Sequence, residues 1–337
     1  MAATFATAGR TVEARLGFDN EVSPPWVMVP VDGRKNVVLR GGNGLSLQLR
    51  TTWGTGVVTF QEQSPDPVFG RLIELTAKSP GTAFLEARNA TGQMQASLEI
   101  TVKARMVLRT FVHFIFEKNG RSGAAGLEVA EHMIEVANKL YLPQANIELL
   151  RSGSGPCQLP FNLDKGMPIR LEEFNAPRSW LRNTPGPLPC IASRVPDQRG
   201  CLPEEVQGPL KTPLDFDRIR KFQITSNILG HVNLTSDYNI FFVRFMDEPL
   251  VGGFTPSTLR GTSVNACIIP DSGTRGQVLA HELGHYLLRP GPSLLGPDGH
   301  STVPGHLMLE DPGPDDIKIP KEQANYMNTS GRQYDTW

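Results

Sequence analysis

This chain has no long apolar run, no excess of charge of either sign, and little cysteine. The longest apolar stretches, such as Ile240-Phe241-Phe242-Val243, are far shorter than the ~20 residues a membrane-spanning helix needs, so no membrane span is expected. Lys plus Arg number 33 against 34 Asp plus Glu, a net charge of −1. Nucleic acids and anionic membranes attract proteins through a basic field, and this even balance argues against both as the main partner. The N-terminus, MAATFATAGRTVEARLGFDNE, shows no basic stretch followed by an apolar core, the pattern of a secretory leader. The expectation is a protein exported by a route that needs no such leader, or otherwise a cytoplasmic one.

Four cysteines occur, and no two have Cys-x-x-Cys spacing, which disfavours a cysteine zinc finger. Cys157, Cys190 and Cys201 fall in a stretch rich in proline and glycine, and Cys267 lies in an apolar run. Two readings stay open: free buried thiols throughout, or one disulfide joining two of the first three with Cys267 left free. The second would imply an oxidising compartment. Glycine (33) and proline (28) are plentiful and point to many turns and a strand-rich fold. A length of 337 residues suits two domains.

Residues 1–104 show short alternating runs at 35–40, 45–50, 57–61, 72–78, 82–88 and 95–103. Between them stand turn signals such as Gly41-Gly42-Asn43-Gly44 and Asn89-Ala90-Thr91-Gly92. Short strands spaced this way predict an all-β sandwich. The run 81–88, closing with Leu98-Glu99-Ile100-Thr101-Val102, resembles the last strands of bacterial immunoglobulin-like (Big-type) domains. That resemblance implies a spacer, an adhesion unit or a surface for a docking partner.

After Lys103-Ala104-Arg105 the texture changes, which sets the second domain at 105–337 and predicts that it folds alone. Residues 106–117 read as a strand and 126–141 as a helix with apolar residues at helical spacing. Further strands are expected at 146–150, 238–245 and 261–269, a helix at 216–228, and a long loop over 152–212. The fold class is thus α+β: an immunoglobulin-like sandwich, then an α/β domain with a mixed sheet and one chemistry-bearing helix.

That helix lies in residues 274–311, which hold four of the seven histidines. His281-Glu282-Leu283-Gly284-His285 is an H-E-x-x-H motif. On a helix, residues four apart share one face, so both imidazoles reach one zinc ion at ~2.0–2.1 Å. Glu282 is turned away from that face and can touch a water on the ion instead, the place of a general base. Thr274 with Gln277 has the form of a capping box. Val278, Leu279, Leu283 and Leu287 supply an apolar stripe, and Pro290-Gly291 ends the helix.

The sequence that follows resembles the metzincin clan of zinc peptidases. His300, in Gly299-His300-Ser301, looks like the clan's third histidine ligand, and Met308, in His306-Leu307-Met308, looks like the methionine of its tight Met-turn. The order strand, long helix, strands, active-site helix is similar too, and residues 320–327 read as the clan's C-terminal helix. Two departures stand out. The clan's spacing puts a glycine where this chain has Leu288, and 289–297 is an extra Pro/Gly-rich insert. Leu309 follows Met308 where some relatives carry a tyrosine. His306, Asp298, Glu310 and Glu322 therefore remain alternative third ligands.

The resemblance implies a zinc-dependent endopeptidase with one catalytic Zn2+ held by His281, His285 and His300, and with Glu282 as proton carrier. A protein or peptide substrate would add as a strand to the edge formed by 261–269, with Ser263, Val264, Asn265 and His306 as substrate contacts. No cysteine precedes Cys157, so a thiolate inhibitor segment of the cysteine-switch kind is excluded. Signal-independent export of such a peptidase would suit a bacterial effector. Two other functions stay open: an adhesin or docking protein with a structural or vestigial zinc site, and a zinc hydrolase of a non-peptide bond. The intact Glu282 weighs against the first, because a structural site has no use for that carboxylate.

Overall fold

The alternation in the first hundred residues becomes two sheets. In the computed structural model the described residues are 2–9, 11–63, 70–159, 162–163, 228, 230–246, 252–256, 258–259, 262–263, 265–274, 276–289, 295–296, 299–310, 313 and 317–329. The strands are β1 (Thr4–Thr7), β2 (Phe18–Asp19), β3 (Trp26–Pro30), β4 (Arg34–Arg40), β5 (Ser46–Trp53), β6 (Val58–Glu62), β7 (Arg71–Ala77), β8 (Gly81–Arg88) and β9 (Met94–Lys103). A short helix, α1 (Val12–Arg15), follows β1. One sheet has the order β1-β4-β7-β6 and the other β2-β3-β9-β8-β5. Strand β7 alternates buried and half-buried residues, as a strand covered on one side does. Val37, Leu39, Ile73 and Leu75 from one sheet meet Val27, Leu85, Ile100 and Val102 from the other in one core. Each such side chain, fully buried, contributes about 1.5–3 kcal/mol. Trp26 is wholly buried, and its indole N–H donates to Thr101 Oγ1 at 2.9 Å.

Contacts group the chain into two units: Met1–Val107 with Glu135–Leu149 and Leu287–Trp337, and Leu108–Ile134 with Leu150–Tyr286. The first cut lies close to the composition break, but the first unit also takes in the C-terminal segment. Buried polar groups tie that segment to the sandwich. Lys103, with no exposed surface, donates from Nζ to the Asn328 carbonyl at 2.6 Å. Asn328 Nδ2 donates to the Ala104 and Ala145 carbonyls. Lys318 pairs with Asp19 at 2.9 Å, and Lys321 with Glu99 at 2.6 Å.

The second unit is built on a sheet of order β11-β10-β12-β15. Around this sheet run β10 (Met106–Phe116), α2 (Leu127–Ala145), β11 (Ile147–Gln158), β12 (Tyr238–Val243) and β15 (Ala266–Pro270), with a small hairpin of β13 (Thr258–Leu259) and β14 (Thr262–Ser263); the start of β10, the second half of α2 and the first residues of β11 are grouped with the first unit. β12 pairs in parallel with β10 and with β15. All residues of β12 and β15 are buried, and apart from Asn239 both are largely apolar, the pattern of parallel strands covered on both faces. After a 3₁₀ turn (Asp271–Gly273) comes α3 (Gly276–Leu287), and α4 (Lys321–Met327) lies near the C-terminus. Among the described residues, no helix is long and apolar enough to cross a membrane. The protein is thus mixed α and β, mostly sheet with few helices.

Several expectations need correction. The strand expected at 146–150 runs on to Gln158, into the stretch read as loop, because Ser152 and its neighbours pair along β10 despite their glycines. The strand expected at 261–269 is two elements, β14 and β15, and only β15 joins the main sheet. The antiparallel neighbour of β15 is Phe254, which exchanges both backbone hydrogen bonds with Ile268, so the mixed sheet's outer edge there belongs to residues 252–256. The helix expected at 216–228 and the loop beyond residue 163 lie outside the described residues, apart from Ile228.

Candidate metal centre

Helix α3 forms because Leu279, Ala280 and Leu283 bury one face completely. Thr274, expected to cap it, donates its hydroxyl to the Asp271 carbonyl at 2.9 Å. Asp271 accepts N–H groups of Ala124 and Ala125, which ties the strand-to-helix turn to the approach to α2. Along α3, the four-residue spacing brings His281 Nε2 and His285 Nε2 to 3.0 Å, with the rings nearly perpendicular. Two nitrogens each ~2.05 Å from a tetrahedral zinc would stand about 3.3 Å apart, so this spacing suits a shared ion.

Ligand atoms of His281, His285 and His300 all lie within 4.8 Å of one another, and this is the group among the described residues able to hold a metal. His281 is buried and the other two are half-buried. Gly299 precedes His300 at φ 84°, a left-handed conformation that glycine adopts without strain. Three imidazoles are a neutral nitrogen set of the kind catalytic zinc takes, leaving a fourth position open. The donor set therefore fits zinc.

The rival ligands are placed elsewhere. His306 Nδ1 lies 3.0 Å from Ser301 Oγ, and its Nε2 faces Glu21 at 3.5 Å. Burial holds the His306 imidazole below its ordinary pKa, only partly offset by Glu21. Glu310 is exposed, Glu322 is exposed on α4, and Asp298 lies outside the described residues. Met308 is fully buried in a turn closed by the Leu309 N–H donating to the His306 carbonyl at 3.1 Å.

Of the expected substrate contacts, Asn265 needs correction. Its Nδ2 donates to the Ser236 and Asp237 carbonyls at the entry to β12, a structural role. His306 is likewise engaged with Ser301 and Glu21. Ser263 sits in the small hairpin and Val264 lies outside the described residues. His113 is a polar core residue: Nε2 meets Asn239 Oδ1 at 2.9 Å, and its ring stacks on Phe241. Cys157 and Cys267 are buried free thiols, and burial pushes the Cys157 thiol up to about 12. A bridge including Cys157 is therefore corrected to a free thiol, while Cys190 and Cys201 lie outside the described residues.

Glu282 is buried beside its histidine neighbours. Thr255 Oγ1 lies 2.5 Å from Glu282 Oε2 and 2.9 Å from the Glu282 carbonyl. A Cβ added to Gly253 would stand 2.8 Å from Glu282 Oε1 and 2.8 Å from Val278, so only glycine fits without displacing them. The expected substrate and metal residues did not include Thr255; the paired glycines of Gly252-Gly253-Phe254-Thr255-Pro256 are the one local signal of a close approach there.

No protein-family model matches this chain, and no curated protein does. Among solved structures, an I-band fragment of titin is similar at 16% identity, covering 34% of this chain and 38% of its own. Its TM-score of 0.18 is too low to carry an argument.

Proposed function

We propose that this protein is a zinc-dependent endopeptidase of metzincin type whose N-terminal sandwich is an immunoglobulin-like module. The convergence of His281, His285 and His300, with Glu282 beside them and outside the ligand set, carries this reading. The order strand, long helix, strands, active-site helix supports it, as does Met308 in its buried turn. Zinc bound by these histidines would lower the pKa of water toward ~7 and polarise a scissile carbonyl.

The chain's own contribution centres on Glu282. Oε1 lies toward Gly253, whose missing side chain leaves room on that side, while Oε2 is engaged by Thr255. Oε1 therefore accepts the proton of the attacking water, and the same atom delivers it to the leaving amine. An extended substrate cannot add to β15 at Ile268, because Phe254 already occupies those hydrogen bonds. In an antiparallel pair the flanking residues point their backbone groups to the opposite side. The outer side of Gly253 and Thr255 is thus the edge where a peptide strand would lie, close to Glu282.

The decisive experiment is Glu282→Gln. Zinc content should stay at one ion per chain, because the carboxylate is not a ligand, while turnover of a peptide substrate falls about 10²–10⁴-fold. Wild-type turnover in that variant would sink the reading.

A further inference from the structure

We propose that Thr255 is a positioning residue that holds the Glu282 carboxyl group in one orientation, with Oε2 on the Thr255 hydroxyl and Oε1 toward Gly253. The inference rests on the reading of Glu282 as proton carrier. Phe254 donates to the Ile268 carbonyl at 2.9 Å and accepts from the Ile268 N–H at 2.8 Å, which anchors the segment on a fully buried strand. Side chains alternate along an extended segment, so positions 253 and 255 share a face. That face is turned to Glu282: glycine at 253 leaves room for Oε1, and the Thr255 hydroxyl meets Oε2.

The hydroxyl has one proton and faces two oxygens of the same residue, Oε2 at 2.5 Å and the backbone carbonyl at 2.9 Å. With Glu282 ionised, the hydroxyl donates to Oε2. With the proton carried on Oε1, Oε2 is the carbonyl oxygen of the acid and still accepts from the same hydroxyl. No heavy atom needs to move between the two states, since the hydroxyl donates to Oε2 in both. The backbone carbonyl is fixed by helix α3, so the anchor stays in place through the cycle. A residue that must take and return a proton gains from this, because a carboxyl group that reorients between steps would lose its aim.

The test uses the full-length, zinc-loaded chain on dye-quenched casein, together with crystal structures of the metal-free proteins. Thr255→Val removes the hydroxyl at nearly constant shape. Its kcat should fall about tenfold to hundredfold, as for loss of a hydrogen bond to a charged group. KM should stay within about twofold, zinc content should not change, and in the crystal the carboxylate should leave its place beside residue 255. Thr255→Ser, which keeps the hydroxyl, should restore both kcat and the carboxylate position. Unchanged kcat in Thr255→Val, a carboxylate that stays put without the hydroxyl, or a serine variant as impaired as the valine one would each overturn the proposal. Failure of the peptidase reading shows separately, as wild-type turnover in Glu282→Gln; the crystallographic arm decides the role of Thr255 even then.

Discussion

The sandwich and the sheet-and-helix unit both bury polar side chains, but they use them differently. In and around the sandwich, the buried polar groups close structural gaps. Trp26 reaches Thr101, Lys103 reaches the Asn328 carbonyl, and Asp19 gathers Lys318 and the Lys321 N–H. Each meets a partner of matching chemistry. In the other unit, His281 and Glu282 lie buried on one helix, with donors and acceptors aimed at a common point. A buried polar group costs stability unless it is satisfied, so the first arrangement holds a fold together. The second concentrates ligand-type side chains on one helix, where the local spacing suits a shared ion.

The largest expected effect that could break this contrast lies at the third histidine. His300→Ala leaves two imidazoles, too few to hold zinc tightly, and should purify largely metal-free and inactive. His306→Ala should keep about one zinc per chain, as a three-ligand site requires. Elemental analysis of both decides it; the reverse pattern would move the third ligand to His306.

Deleting residues 1–104 should come next in size, which corrects the expectation that 105–337 folds alone, because Leu287–Trp337 groups with Met1–Val107. It removes Asp19, Glu99 and Lys103, the partners of Lys318, Lys321 and Asn328. The segment they hold carries His300, so a chain of residues 105–337 should melt well below the full chain and bind less than one zinc. Full zinc content with an unchanged melting temperature would show that the C-terminal segment folds without the sandwich.

Trp26→Ala should cost about 3–5 kcal/mol by chemical denaturation, the usual penalty for truncating a buried aromatic, yet leave zinc content intact in the folded protein. Loss of metal from folded Trp26→Ala would erase the division of roles between the two regions.

The smallest effect concerns pH. Burial raises the Asp19 carboxyl pKa, but hydrogen bonds from Lys321 and Lys318 outweigh it and hold the group below its ordinary 3.8. A carboxyl depressed in the folded state adds stability above its unfolded pKa, and loses it as pH falls through the folded value. Wild type and Asp19→Asn should therefore differ most in denaturant stability near neutral pH and converge below about pH 4. A difference that grows on acidification would contradict the sign.

The sandwich strands were readable because alternation with period two and glycine-rich turns are local signals. β2 and β3 went unread: Pro24 and Pro25 mask the start of the Trp26-Val27-Met28-Val29 run. Residues 261–269 misled because their apolar end belongs to a sheet and their polar start to a hairpin, a division set by partners distant in the chain.

The amino-acid order alone placed His281 and His285 on one helix face and Glu282 off it, because helical spacing is a property of the backbone. It could not choose between His300 and His306, since the insert at 289–297 breaks any fixed spacing. Only the folded chain assigned Ser301 and Glu21 to His306 and brought His300 within reach of the helix histidines. The meeting of Thr255 with Glu282 was equally out of local reach. It arises from an antiparallel bridge to Ile268, fourteen positions away from Phe254, and pairing across that distance is decided by the sheet rather than by neighbouring residues.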